Sequence, residues 1–125
     1  MTVLEKDLLA LEKKFWTGDA EFYRQNVDAS CLVAFSAEMA GVMSNKDLAA
    51  TAKDGNRWKK LDIKLKGLVE PADDVAILSY EASATRSNGE PYAALVSTGY
   101  AKRSDGWKMM FHQHTPLSQA GAMSK

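Results

Sequence analysis

His112 and His114 are the two histidines of the chain, two residues apart in a stretch, Trp107 to Thr115, that reads as a strand. Residues two apart on a strand leave the same face, so the rings share a surface. A pair so placed can share a ligand, a proton or a metal ion. Imidazole titrates near neutral pH, which makes either ring a candidate general base. A metal would need a third ligand, from Asp28, Glu38 or Glu81, and no spacing marks such a set. Neither metal nor cofactor is expected. The plainer reading is two hydrogen-bonded rings on a sheet. Met110 shares their parity, whereas Trp107, Met109, Phe111, Gln113 and Thr115 take the other. Both sets are partly apolar, so one face should line the interior and the other meet a second sheet, such as a partner subunit.

Other side chains could complete a pocket. Phe15, Phe35, Trp58 and Met110 supply apolar surface, and Tyr80, Thr98 and Tyr100 add hydroxyls. Apolar walls with a few polar groups are the usual form of a small-molecule site. Cys31 stands alone and reads as a small buried hydrophobe rather than a nucleophile. The run Arg57, Lys59, Lys60, Lys64 and Lys66 alternates with apolar residues, as a solvated strand face does. There is no phosphate loop, nucleophile elbow or HExxH.

The elements that must position these groups can be read from period and punctuation. Leu4, Leu8, Leu11 and Phe15 form a helical stripe, with Glu5, Lys6, Glu12, Lys13 and Lys14 on other faces. Thr2 and Glu5 make a capping box, and Gly18 is a C-terminal cap able to take a left-handed backbone. Asp19 caps a second helix, Ala20 to about Asn26. Cys31 to Phe35 is a short strand, and Ser36 to Met43 is ambiguous, with a bend at Gly41. Ser44 and Asp47 open a third helix, which Asp54-Gly55 closes. Four strands follow: Leu61 to Lys66, Val75 to Arg86, Tyr92 to Lys102 and Trp107 to Thr115. Asn88-Gly89 and Asp105-Gly106 turn two of their hairpins. Residues Ser118 to Lys125 read as a frayed tail. Helices segregated from an antiparallel meander define an α+β fold with the helices on one sheet face.

The 125 residues suit one domain, residues 1–125, with a core from about 4 to 117. Sixteen Lys+Arg balance sixteen Asp+Glu. Zero net charge argues against nucleic acid and against a polybasic membrane anchor. With one cysteine and no long apolar run, a soluble cytoplasmic protein is the default.

In three places the chain resembles the nuclear transport factor 2-like superfamily, also called SnoaL-like or ketosteroid isomerase-like. Gly18-Asp19-Ala20 follows the first helix, and Asp28-Ala29 precedes the first strand. Asp105-Gly106-Trp107-Lys108, then His112-Gln113-His114-Thr115, is similar to the closing strand of calmodulin-kinase association domains. The resemblance implies a cone-shaped, cystatin-like α+β barrel with an internal pocket, commonly a homodimer formed through the sheet. It also implies that Met110, His112 and His114 face the pocket, with Phe15, Phe35, Trp58, Tyr80, Thr98 and Tyr100 around them. The tyrosine, the catalytic base and the second acid of ketosteroid isomerases fall near Leu11, Phe35 and Thr98 respectively, none of which can do that chemistry. The expectation is a domain that binds a small apolar or carboxylated molecule. The alternatives are an enzyme with a histidine base, or an oligomeric assembly module. The cavity should be uncharged, with its polarity changing as the pH falls toward 6.

Overall fold

The computed structural model describes residues 1–52 and 58–117. Asp54, Gly55, Arg57 and the tail from Ser118 to Lys125 lie outside the described residues.

Helix α1 spans Val3–Thr17 and begins in the expected capping box, Thr2 accepting from the Glu5 amide and Glu5 from the Thr2 amide. Gly18 ends it with an extended rather than a left-handed backbone, φ −81° and ψ 172°. Glycine is needed there for space. A Cβ would stand 2.4 Å from the Lys14 carbonyl oxygen. Asp19 then caps α2, Ala20–Asn26, by accepting from the Phe22 amide.

Strand β1 is longer than the sequence suggests, Val27–Ser36, and the ambiguous stretch becomes β2, Met39–Ser44, its hairpin partner. Gly41 sits within β2 at φ 136°, a conformation other residues rarely take. Ser44 caps α3, Asn45–Ala50. Strands β3 (Trp58–Ala72), β4 (Val75–Arg86), β5 (Pro91–Arg103) and β6 (Gly106–Pro116) form the meander.

The described strands make one six-stranded sheet in the order β2-β1-β6-β5-β4-β3. All pairings are antiparallel except β1 with β6, which brings the first strand beside the last. Three register shifts interrupt β3 against β4, one of them at Lys60, where φ is 53°. Bulges bend a strand and raise its twist, so β3 curls over α1. The core lies between the helices and the inner sheet face. It joins Leu8, Phe15 and Trp16 of α1 to Leu78 and Tyr80 of β4, Val96 and Tyr100 of β5, and Met109 of β6.

Candidate functional site

The buried face of α1 carries Leu8, Glu12, Phe15 and Trp16, at helical spacing. Glu12 is thus on the inner face, not among the solvated charges, and is fully buried. The fold receives it with three hydroxyls. Tyr80 on β4 donates to Glu12 Oε1 at 2.5 Å, and Thr98 on β5 donates to the same oxygen at 3.0 Å. Tyr100, also on β5, donates to Oε2. Trp16 Nε1 in turn donates to the Tyr80 hydroxyl at 3.0 Å. Burial pushes the Glu12 carboxyl above its ordinary range, and the hydroxyls of Tyr100, Tyr80 and Thr98 work against that rise. Both tyrosines are pushed well up, by burial first and by the Glu12 charge second.

The network continues into the last strand. Thr98 Oγ1 lies 2.8 Å from His112 Nδ1. His112 Nε2 lies 3.0 Å from His114 Nε2. His114 Nδ1 lies 3.0 Å from the Tyr92 hydroxyl. Burial holds His112 down at about 4, and burial with the neighbouring ring holds His114 down at about 3. The expected change of cavity polarity near pH 6 is therefore overturned. Rings shielded from water on this scale stay neutral well below that pH. With Glu12 ionised, the bonds fix the tautomers. Thr98 gives its proton to Glu12, so His112 donates from Nδ1. His112 Nε2 then accepts from His114 Nε2, and His114 Nδ1 accepts from Tyr92.

These groups form one wall of a cavity of about 350 Å³ between the helices and the sheet. Phe15, Phe35, Trp58, His112 and His114 line it as the sequence suggests, joined by Trp16, Met39 and Tyr92. The rings pack closely. Trp16 stacks on His114 at 5.3 Å between centroids, and Phe35 meets both histidines edge-on. Tyr80, Thr98 and Tyr100 stand behind this lining, fully buried, with their hydroxyls turned to Glu12.

Met110 faces away from the cavity. Gly99 pairs with Phe111 and Tyr100 with Met109, so Met110 is the extra residue of a bulge. The bulge inverts parity, placing Met109 on the histidine face and Met110 with Phe111 over Gly99 on the outer face. Arg86, at the end of β4, adds the cavity's one cation among the described residues. Its guanidinium lies 5.0 Å over the Trp58 ring and 4.8 Å over Tyr92.

Sequence reading did not single out Glu12, Trp16, Met39, Arg86, Tyr92 or Met109. Glu12 stands four residues after Leu8 and four before Trp16, a spacing that places it on the same helical stripe. Cys31 is buried, its thiol pushed up to about 12, which leaves it unreactive. Asp28 is paired outside the cavity with Arg103 at 2.6 Å. Among the described residues no three His, Cys, Asp or Glu groups converge on a metal position, and no helix is long and apolar enough to cross a membrane.

Solved structures place the architecture. An NTF2-like protein of unknown function from Prochlorococcus marinus superposes with a TM-score of 0.73 at 15% identity, over 98% of this chain and 99% of that one. A ketosteroid isomerase-like protein from Erwinia carotovora gives 0.71 at 18% identity, over 93% and 95%. The association domain of CaMKII from C. elegans gives 0.66 at 16% identity, over 90% and 92%. No family model and no curated protein matches the sequence. The chain has the nuclear transport factor 2-like fold, α+β with a curved six-stranded sheet.

Proposed function

We propose that the protein binds a small aromatic or apolar molecule carrying a carboxylate. The observation that carries this is Arg86 at the rim of an otherwise aromatic cavity, held over Trp58 and Tyr92. A ring would lie among Trp16, Phe35 and Trp58, and its carboxylate would meet the guanidinium in a charge-assisted bond. The neutral histidines would line the cavity without competing charge. The size fits, since pockets for small ligands begin near about 300 Å³.

Benzoate and benzyl alcohol, equal in ring and nearly equal in size, test the reading by thermal shift and calorimetry. Benzoate should stabilise the fold and bind more tightly than the alcohol. Arg86→Gln should cost benzoate on the order of tenfold, as loss of one charged hydrogen bond does, and leave the alcohol unchanged. Equal binding of both by the wild type would remove the carboxylate from the proposal.

A second reading concerns the outer sheet face, where we propose that a second copy of the chain docks. Val42, Leu32, Phe111, Gly99, Ile77 and Val69 are register partners in sequence across all six strands. They form one uncharged row from edge to edge, with Val42 72% and Val69 59% exposed. The CaMKII association domain has this same fold, and its name describes association.

A further inference from the structure

The hydrogen-bonded chain from Tyr92 to Glu12 has two complete proton arrangements. In the first, with Glu12 ionised, every bond points inward: Tyr92 to His114, His114 to His112, His112 to Thr98, Thr98 to Glu12. In the second Glu12 is protonated and every bond reverses. Glu12 donates to Thr98, Thr98 to His112 Nδ1, His112 Nε2 to His114 Nε2, and His114 Nδ1 to the Tyr92 oxygen. Tyr92 then has a free hydroxyl proton to offer the cavity it lines. Both arrangements satisfy the same bonds at the same distances, and both leave each histidine neutral.

We propose that this chain is a proton relay, by which Glu12 takes a proton from, and returns it to, a weakly acidic hydroxyl bound against Tyr92. The ligand group is a phenol or an enol, whose plane suits the aromatic cavity. The step balances without any added reactant. The ligand B–H gives its proton to the Tyr92 oxygen, and the Tyr92 proton passes to His114 Nδ1. The Nε2 proton of His114 passes to His112 Nε2. The Nδ1 proton of His112 passes to Thr98, and the Thr98 proton to Glu12. One O–H bond to the ligand breaks and one O–H bond at Glu12 forms, leaving B⁻ and a neutral carboxyl. Glu12 touches no ligand and acts as a positioning residue and proton store.

The surroundings favour such a store. Tyr80 faces Glu12 from β4, Thr98 and Tyr100 from β5, and Cys31 from β1; Trp16 reaches it through Tyr80. No cation is among its partners in the described residues to lock it as a carboxylate. Burial already biases it toward the neutral acid. Arg86, near Tyr92 at the other end, is the charge that would hold B⁻. The relay is independent of the carboxylate reading above, since it can be observed with no ligand present.

The test uses the full chain labelled with 15N-histidine, which reports on two rings alone. Ring shifts are recorded from about pH 5 to 9, with the Glu12 carboxyl followed by infrared difference against Glu12→Gln. At high pH His112 should carry its proton on Nδ1 and His114 on Nε2. As Glu12 gains its proton, both rings should swap tautomers together, at one midpoint shared with the carboxyl band, without forming imidazolium. Glu12→Gln should abolish the swap. Thr98→Val, which keeps the shape and both end groups, should let Glu12 titrate while the rings stay fixed. Rings that keep one tautomer throughout in the wild type overturn the relay. So does either ring ionising in place of the swap, or a swap that survives Thr98→Val.

Discussion

Glu12 is held by three hydroxyls and no positive charge, so its stability contribution is that of a satisfied polar network. Truncation strands all three donors and opens a hole. Glu12→Ala should cost about 3–5 kcal/mol in urea unfolding, the range for breaking a buried network. Tyr100→Phe removes one donor and should cost about 1–2 kcal/mol.

The histidines give a pH dependence of opposite sign to that of Glu12. Their folded pKa values are depressed, so the stability they lend is full above about pH 6.5 and lost as the pH falls toward about 4 for His112 and about 3 for His114. For His112 that amounts to about 3 kcal/mol over the whole range. Glu12 is raised, so its contribution is present below its unfolded value and lost as the pH rises through its folded one. Urea midpoints between pH 4.5 and 8 should therefore fall on acidification in the wild type. They should fall more steeply in Glu12→Gln, which loses the opposing group. A parallel pair of profiles would show that Glu12 binds its proton alike in both states.

At the scale of elements, one extra residue in β6 decides which methionine meets the cavity. Met109→Ala, at 2% exposure, should cost about 2–5 kcal/mol and enlarge the cavity. Met110→Ala, half-buried on the outer face, should cost under about 1 kcal/mol in the monomer. The same bulge explains which parts of the fold could be read from residues alone. Local signals such as the capping box at Thr2 and the turn glycines, Gly89 and Gly106, depend on neighbours in sequence and came through intact. So did the strand span Val75 to Arg86. Strand parity beyond a bulge depends on the partner strand, and nothing in Met109-Met110 announces the slip. Hence Phe15, Phe35, Trp58, His112 and His114 line the cavity, Tyr80, Thr98 and Tyr100 stand behind it, and Met110 faces away. Glu12 was missed for another reason. A charge at a helix position is normally solvated, and only Tyr80, Thr98 and Tyr100, sixty-eight to eighty-eight residues away, make its burial tolerable.

For the whole molecule, the curved sheet has one face closed by helices and the other bare. The row from Val42 to Val69 crosses five strand-to-strand steps, about 24 Å at the usual spacing. Charge begins four residues along β4 from Ile77, at Glu81, which pairs with Lys66 at 3.8 Å, both about half exposed. An apolar row between polar margins is the anatomy of an interface, whose core excludes charge and whose rim tolerates it. Gly99 lies mid-row and lets Met110 and Phe111 close over it, giving the centre a continuous apolar cover. A symmetric dimer presents this same patch twice, so a charge introduced anywhere in the row is buried twice, once on each copy. Leu32→Glu, at a position 49% exposed in the monomer, should leave the fold intact and drive the protein to half its mass in sedimentation equilibrium. Asp62→Lys, off the row on β3, should not. A wild type that sediments as a monomer at high concentration would leave the row without its partner and count against the docking proposal. The cavity and relay would be untouched by that result, because they open on the opposite face of the sheet.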